Sequence, residues 1–304
     1  MEPEAEATRC GFVAVLGAPN AGKSTLVNRL VGTKVSIVSR KVQTTRSIVR
    51  GIAMAGRSQI IFVDTPGIFA PRRRLDRAMV ETAWSGARDA DLIVLMIDAS
   101  RGFVSEVTDL LERLADVPHP KILVLNKVDL VKREELLALA EQANAMVSFT
   151  DTFMVSATSG DGLDVFLAHL AASVPAGPWL YPEDEVTDVP LRQLAAEITR
   201  EKLFERIHQE LPYQATVETE RWTDQKDGSA KVEQTIYVTR DSHKKIVLGA
   251  GGQTIKSIGA DARKELMDIF EVPVHLFLFV KVREKWGDDP ERYREMGLEY
   301  PHEK

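Results

Sequence analysis

Short, continuously hydrophobic runs alternate with longer segments of helical periodicity through the first half of the chain. The runs are FVAVLG from Phe12, QIIFVDT from Gln59, DLIVLMID from Asp91, KILVLNK from Lys121 and TFMVSA from Thr152. Because polar and apolar residues do not alternate within them, they predict strands covered on both faces, in a mostly parallel sheet flanked by helices. Helices are predicted over 23–31, 103–115, 133–147 and 161–173, and an added hairpin strand at the sheet edge over 47–56.

The pattern changes after a stretch with four prolines, VPAGPWLYPEDEVTDVP, at 174–190. Since proline cannot continue a helix, we interpret 175–189 as a linker between a domain at 1–174 and one at 190–304. The second domain has a different order. A helix at about 190–209, strands at 213–224 and 230–240, a short helix, a glycine cluster, a helix at 253–269 and a strand at 272–282 predict a smaller α+β domain of order α-β-β-α-α-β.

Composition limits the classes of function. The 304 residues include 39 lysines and arginines against 45 acidic residues, for a formal net charge of −6. An acidic chain is a poor general polyanion binder, so any contact with nucleic acid must come from a local patch. The single cysteine, Cys10, excludes a disulfide framework and a cysteine-rich zinc site. The first residues lack a secretory signal pattern and no run approaches the roughly 18 apolar residues of a membrane span, so we expect a soluble cytoplasmic protein.

The first motif, GAPNAGKS at 17–24, follows a predicted strand and opens a predicted helix. Gly17 and Gly22 let the backbone curl so that its N–H groups face a phosphate, Lys23 reaches the β- and γ-phosphates, and the Ser24 hydroxyl coordinates Mg²⁺. The alternative is a glycine-rich turn without a ligand. The candidate nucleotide contacts here are Gly17, Ala18, Pro19, Asn20, Ala21, Gly22, Lys23, Ser24 and Thr25.

The second motif, DTPG, ends another predicted strand. The Asp64 carboxylate there can hold the water shell of the metal, and Gly67 permits a backbone N–H to face the γ-phosphate. A simple strand-ending turn is the alternative. Asp64, Thr65, Pro66, Gly67 and Ile68 are the candidate contacts.

The third motif, NKVD, follows the strand KILVLNK and indicates a guanine site. Guanine presents two adjacent donors that Asp129 can accept, whereas adenine would place an acceptor against that carboxylate. Asn126 and Lys127 then brace the loop and cover the base. The SAT sequence of Ser156, Ala157 and Thr158, after the last strand, can offer a backbone N–H to guanine O6. All these motifs are predicted at the carboxyl ends of strands, where open α/β sheets bind ligands.

With these motifs, the chain resembles P-loop GTPases of the translation-factor class, and over its whole length the Era family of bacterial ribosome-assembly GTPases. The stretches that carry the resemblance are GAPNAGKSTLVNRLVG, SIVSRKVQTTRSIVRG, VDTPGI, NKVDL, LAAEITREKL, ELPY, GADARKEL and VPVHL. The resemblance implies a P-loop GTPase domain at 1–174, a type II KH domain at 190–304, binding of GTP and GDP, and Mg²⁺-dependent GTP hydrolysis by a monomer.

The resemblance also implies how hydrolysis is assisted. In QTTR at 43–46, Thr45 would complete the Mg²⁺ shell with Ser24 and Asp64, the alternative being two exposed loop threonines. Ile68 occupies the position where many GTPases carry a water-orienting glutamine. Family members with a hydrophobic residue there often bind K⁺ through the asparagine that matches Asn20, although Asn20 has the alternative of only capping its loop. The candidate catalytic residues are Lys23, Thr45, Asn20 and Gly67.

The glycine cluster of the second half contains a G-x-x-G turn, Gly249, Ala250, Gly251 and Gly252. Such a turn lets a nucleic-acid backbone approach a helix N-terminus. Residues 241–264 hold five basic side chains and two aspartates, a local charge of +3, with a solvated helix face as the alternative. We list Lys244, Lys245 and Lys256 with the four loop residues as candidate RNA contacts, and expect Ile246, Ile255 and Ile258 in the core.

The resemblance further implies binding of the 3′ region of 16S rRNA and a role in 30S subunit maturation. One alternative from another class is a signalling GTPase at the membrane periphery, with a KH-like half that docks proteins. The resemblance implies peripheral contact with the inner membrane, but no lipidation site is evident in the sequence. A GTP-consuming metabolic enzyme is the third hypothesis, and the scattered histidines provide no second catalytic site for it.

Overall fold

A six-stranded sheet forms the centre of the N-terminal part of the chain in the computed structural model, which describes residues 7–39, 41, 44–71, 73–207, 211–284 and 286–301. The strands are β1 (Arg9–Gly17), β2 (Val49–Ala55), β3 (Ser58–Asp64), β4 (Leu92–Asp98), β5 (Lys121–Asn126) and β6 (Asp151–Val155). Their order is β2-β3-β1-β4-β5-β6. Only β2 is antiparallel to its neighbour, which confirms the predicted edge hairpin on a parallel sheet.

Helices cover this sheet on both faces, so the strand interiors are buried as their continuous hydrophobicity requires. The helices are α1 (Lys23–Val31), α2 (Arg74–Arg88), α3 (Ser105–Ala115), α4 (Arg133–Met146) and α5 (Leu163–Ser173). Four of them confirm the predicted helices to within two residues, whereas α2 was not predicted. Every residue of β4 is buried.

The C-terminal part contains a three-stranded sheet with helices. Its elements are α6 (Leu191–Arg206), β7 (Ala215–Asp224), β8 (Ala230–Val238), α7 (Asp241–Leu248), α8 (Gln253–Phe270), β9 (Val274–Val282) and α9 (Pro290–Glu295). The predicted order α-β-β-α-α-β is confirmed, with α9 in addition. Strand β8 is antiparallel to β7 and parallel to β9. The last two residues of the predicted helix at 190–209 lie outside the described residues.

By its contacts the chain divides into two units. Unit 1 comprises Met1–Ser36, Thr45–Asp188 and Gly297–Lys304, and unit 2 comprises Ile37–Thr44 and Val189–Met296. Much of the proposed linker lies along the sheet of unit 1: the Ile52 N–H donates to Val186 O at 2.8 Å, and the Gln59 side chain accepts from the N–H groups of Leu180 and Tyr181. The boundaries at 174 and 190 stay predictions.

Each unit has its own apolar core. In unit 1, residues of β1, β4 and β5 pack with α2, α3 and α4. In unit 2, α6, α7 and α8 pack against one face of the three-stranded sheet through residues such as Leu203, Val247, Ile258 and Ile236. Over the described part of the chain, we find no helix whose length and apolar character would suit a membrane crossing.

Candidate functional site

The predicted nucleotide motifs meet at one edge of the unit 1 sheet. Gly17, Asp64, Asn126 and Val155 are the last residues of β1, β3, β5 and β6, which are all parallel to one another. Because the carboxyl ends of parallel strands lie together, the four loops that follow them surround a common space. The structure thus brings together segments that are up to about 140 residues apart in sequence.

The loop at 17–24 wraps around the side-chain ammonium of its own lysine. Gly22 has φ 103°, and a Cβ there would lie 2.3 Å from Asn126 Nδ2, so only glycine fits. Lys23 Nζ donates to Gly17 O at 3.1 Å and to Ala18 O at 3.2 Å. Burial lowers the pKa of Lys23 to about 8, against the opposing effect of the Asp64 carboxylate. The loop therefore holds a desolvated cation at the position that the motif assigns to phosphate binding.

Hydroxyl and carboxylate oxygens converge beside this lysine. The Ser24 hydroxyl donates to Asp64 Oδ2 at 2.7 Å, and Ser24 Oγ lies 3.0 Å from Thr45 Oγ1. A third hydroxyl, that of Ser36, also donates to Asp64 Oδ2 at 2.7 Å. Asp64 Oδ1 is buried without a hydrogen-bond partner in the described part of the chain, and burial raises the pKa of this carboxyl. Hydroxyl oxygens around a buried carboxylate, one oxygen of which accepts no hydrogen bond in the described part of the chain, suit Mg²⁺, which prefers oxygen ligands.

Asn126 ties the guanine motif to the loops on both sides. Its Nδ2 donates to Ala21 O at 2.8 Å, and its Oδ1 accepts from the Ala157 N–H at 2.9 Å. Lys127 Nζ donates to Asn20 O at 3.0 Å and pairs with Asp98 Oδ2 at 2.5 Å. The phosphate loop, the guanine motif and the SAT loop are therefore bonded into one structure.

The remaining predicted guanine contacts differ in exposure. Asp129 and Thr158 are exposed, while Ser156 and Ala157 are buried. The exposed Asp129 carboxylate is accessible to a base, whereas the N–H groups of Ser156 and Ala157 already donate to Asp161 O and Asn126 Oδ1.

The DTPG turn is fixed to β1 rather than projecting freely. Thr65 Oγ1 donates to Val15 O at 2.8 Å, and the Ile68 N–H donates to Gly17 O at 3.1 Å. A Cβ on Gly67 would approach Pro19 Cα to 3.0 Å, so the two loops are in close contact. The Ile68 side chain is buried in the apolar core of unit 1 and offers no polar group to a water molecule.

In unit 2, the glycine turn has a backbone that other residues rarely adopt. Gly249, Gly251 and Gly252 have φ of 73°, 59° and 78°. A Cβ on Gly249 would lie 2.2 Å from Thr254 Oγ1, whereas Gly251 and Gly252 face open space. Ala250 is exposed, so the turn presents uncovered backbone. Its predicted basic neighbours are on the surface: Lys245 and Lys256 are exposed and Lys244 is half-buried.

A groove of about 350 Å³ runs beside α8 and β9, lined by Ile255, Lys256, Gly259, Ala260, Arg263, Leu276 and Leu278. The expectation that three isoleucines belong to the core is only partly correct. Ile258 is buried, and Ile255 is partly buried against the same core while also lining the groove. Ile246 is 53% exposed, because the buried residue of the short helix α7 is its neighbour Val247.

Sequence reasoning missed two polar residues of the nucleotide site. Asp98, which pairs with Lys127, ends the apolar run DLIVLMID, and a polar residue at a strand's carboxyl end is a sequence signal for this edge of the sheet. Ser36, which donates to Asp64, has no such signal. Gln43 of the QTTR stretch lies outside the described residues.

Comparison with known proteins finds a different family model in the N-terminal and in the C-terminal part of the chain. A family model described as 50S ribosome-binding GTPase matches residues 12–127, and a KH domain model matches 210–287. GTPase Era of Afipia carboxidovorans is 65% identical over 302 residues, which cover 99% of this chain and 98% of that protein. Two solved structures, each 38% identical and covering 95% of this chain and 99% of theirs, superpose with a TM-score of 0.90. They are an Aquifex aeolicus Era variant bound to GDP and AlF₄⁻, and Era in complex with MgGDPNP and nucleotides 1506–1542 of 16S ribosomal RNA.

Proposed function

Because this chain belongs to the Era family of GTPases, we propose that it is a cytoplasmic GTP-hydrolysing switch that binds the 3′ region of 16S rRNA and acts in 30S subunit assembly. The similar Era in complex with MgGDPNP and a 16S rRNA segment supports both ligands, since the two chains match over almost their full lengths. The proposed nucleotide binding rests on the hydrogen bonds that join the four motif loops at one sheet edge. Asn126 joins the phosphate loop, the guanine motif and the SAT loop, and the Ile68 N–H joins the DTPG turn to Gly17.

We assign the chemistry of the nucleotide to residues of unit 1. Lys23 would exchange its contacts with Gly17 O and Ala18 O for the β- and γ-phosphates. Ser24, Thr45 and Asp64 would hold Mg²⁺, which supplies neutralisation of the phosphate charge when bound. The backbone N–H of Gly67 would face the γ-phosphate. Selection of guanine rests on Asp129, since hydrogen bonds to a charged group are worth about 1.5–3 kcal/mol and adenine would mispair.

We further propose that K⁺ assists hydrolysis. The support is Ile68, whose side chain is apolar and buried where a water-orienting residue would be needed, together with Asn20 in the phosphate loop. A monovalent cation held near Asn20 would supply positive charge that no side chain of the DTPG turn can provide.

The RNA half rests on unit 2. Uncovered backbone at Gly249–Gly252, the adjacent groove and the surrounding lysines form a surface that suits a single strand of about four nucleotides. The family usually carries a lysine in the turn where this chain has Ala250 and Gly251, so Lys244, Lys245 and Lys256 would supply the phosphate contacts.

Two measurements test this proposal. Crosslinking of the GTP-loaded protein in cells, followed by sequencing of the attached RNA, should recover the 3′ region of 16S rRNA; recovery of unrelated RNA would contradict it. In vitro, the Lys244→Ala/Lys245→Ala variant should bind a 16S 3′ fragment with a salt slope reduced by about 1 per lost phosphate contact. Lys226→Ala, an exposed lysine in the turn between β7 and β8, is the matched control and should leave the slope unchanged.

A further inference from the structure

Strand β9 presents different side chains on its two faces. Leu276 and Leu278 line the groove, whereas Phe277 and Phe279 are 46% and 51% exposed. Since successive side chains of a strand point to opposite faces, the two phenylalanine rings lie on the sheet face that α6, α7 and α8 do not cover. The order β7-β8-β9 makes β9 an edge strand, so groove and aromatic face adjoin the same open edge.

Part of this outer face is covered, but the part with the two rings is not. The Arg292 guanidinium lies 5.1 Å from the centroid of the Tyr237 ring, and Tyr293 of α9 is completely buried. Phe277 and Phe279 pair in register with Glu233 and Thr235 of β8, at a distance of two to four residues from the covered Tyr237. Single exposed apolar residues are ordinary, but two aromatic rings side by side on a sheet face indicate a binding surface.

Basic side chains flank these rings. His275 and Lys281 continue the outward side of β9, and Lys231 Nζ lies 5.3 Å from the centroid of the Phe277 ring. Each of these lysines pairs with an acid: Lys231 with Glu233 at 2.5 Å and Lys281 with Glu220 at 3.7 Å. Two exposed aromatic rings flanked by ion-paired lysines, one of which lies over a ring, suit the bases of single-stranded nucleic acid, because bases stack on aromatic side chains.

We propose that Phe277 and Phe279 form a base-stacking platform for the same single-stranded RNA whose other nucleotides occupy the groove. This inference rests on the proposed RNA binding by unit 2. Leu278 and Phe279 are consecutive residues of the edge strand β9. An RNA chain that leaves the groove therefore passes around β9 and reaches the rings without crossing another β-strand. Stacking, rather than phosphate contact, supplies the added affinity.

The test compares two lengths of RNA on the full chain. A tetranucleotide fills only the groove, whereas a single strand of about twelve nucleotides reaches both faces of β9. Removal of one stacked ring weakens binding by about 5- to 150-fold per base, so Phe277→Ala and Phe279→Ala should each weaken the longer RNA at least about fivefold and leave the tetranucleotide unchanged.

Two further variants identify the kind of contact. Phe279→Tyr keeps a ring and should bind the longer RNA like the parent chain, while Phe279→Leu keeps apolar area without a π-face and should bind it like Phe279→Ala. The salt slope should be unchanged in all of them, because no phosphate contact is lost. Full affinity of Phe279→Leu would overturn stacking in favour of simple apolar docking.

The possible failures are distinguishable. If the parent chain binds neither RNA, the proposed RNA function fails and the platform with it. If the parent chain binds both RNAs but the alanine variants bind the longer one normally, only the platform is wrong. Equal weakening for both lengths would show damage to the groove and would also overturn the platform.

Discussion

The contact between Gly22 and Asn126 gives the sharpest prediction about unit 1. In Gly22→Ala, the new methyl group would stand 2.3 Å from Asn126 Nδ2, so the amide must move away from Ala21 O, to which it now donates at 2.8 Å. Asn126 is buried, with 2% of its surface exposed, so no water replaces the lost bond. The perturbation therefore combines a strained backbone with an unsatisfied buried carbonyl.

The two costs can be estimated separately. Left-handed backbone at a residue with a Cβ costs about 1–2 kcal/mol. Loss of a hydrogen bond that leaves one buried partner unsatisfied costs about 1–3 kcal/mol. Gly22→Ala should thus lower the free energy of unfolding of unit 1 by about 2–5 kcal/mol. Gly32→Ala is the matched control, because Gly32 has φ 87° but no heavy atom within 4 Å of its Cβ position, and only the backbone cost of about 1–2 kcal/mol applies.

The assay is hydrogen exchange of the amides of β1 and β5, measured by mass spectrometry without nucleotide. These strands are buried in unit 1, so their exchange reports opening of that unit even if the chain as a whole does not unfold in a single step. A double-mutant cycle with Asn126→Ala adds a second test. That variant already lacks the bond to Ala21 O, so Gly22→Ala in its background should cost only the backbone part.

Two results would refute this reasoning. If Gly22→Ala costs no more than Gly32→Ala, the amide is not displaced by the methyl group. If the full cost persists in the Asn126→Ala background, the strain arises elsewhere, and Asn126 is not the residue that connects these loops.

Two other predictions concern the nucleotide. Because burial lowers the pKa of Lys23 to about 8, its positive charge is lost as pH rises through that value. GDP should therefore bind about eightfold more weakly at pH 9 than at pH 7.5, as measured by calorimetry. The Lys23→Arg variant keeps its charge and should lack this additional fall in affinity. Single-turnover GTP hydrolysis should be faster in K⁺ than in Na⁺ at equal ionic strength, and Asn20→Gly, which suits the φ of 63°, should abolish the difference; equal rates in the parent chain would contradict K⁺ assistance.

The sequence was sufficient to predict the strands that are buried on both faces and the loops that a short motif determines. Strand β4 is buried along its whole length, and its continuous hydrophobic run predicted it for that reason. The positions of the GAPNAGKS and NKVD loops at the sheet edge were predicted from residue types that phosphate and guanine binding require. The structure places Thr45, rather than Thr44, beside Ser24, and the role of Thr45 as a metal ligand stays a prediction.

The features that were not predicted depend on tertiary contacts, or lie in segments too short for hydrophobic periodicity to be decisive. Helix α2 begins in an arginine-rich stretch that is unfavourable for the positive end of a helix dipole, and its apolar face is stabilised by packing against the sheet. The role of Ser36 depends on a carboxylate 28 residues away, and no local pattern indicates that distance. Ile246 was misjudged because a helix of two turns buries so few positions that periodicity cannot select among them.

The buried position of Ile68 restricts how this enzyme can be re-engineered. A glutamine introduced there would carry its amide into an aliphatic interior, while the N–H bond to Gly17 O keeps the main chain from turning that side chain outward. A single exchange would therefore cost stability without placing an amide next to the attacking water. Conversion to a glutamine-dependent hydrolase would require a redesigned turn, which is consistent with the proposed assistance by an external cation.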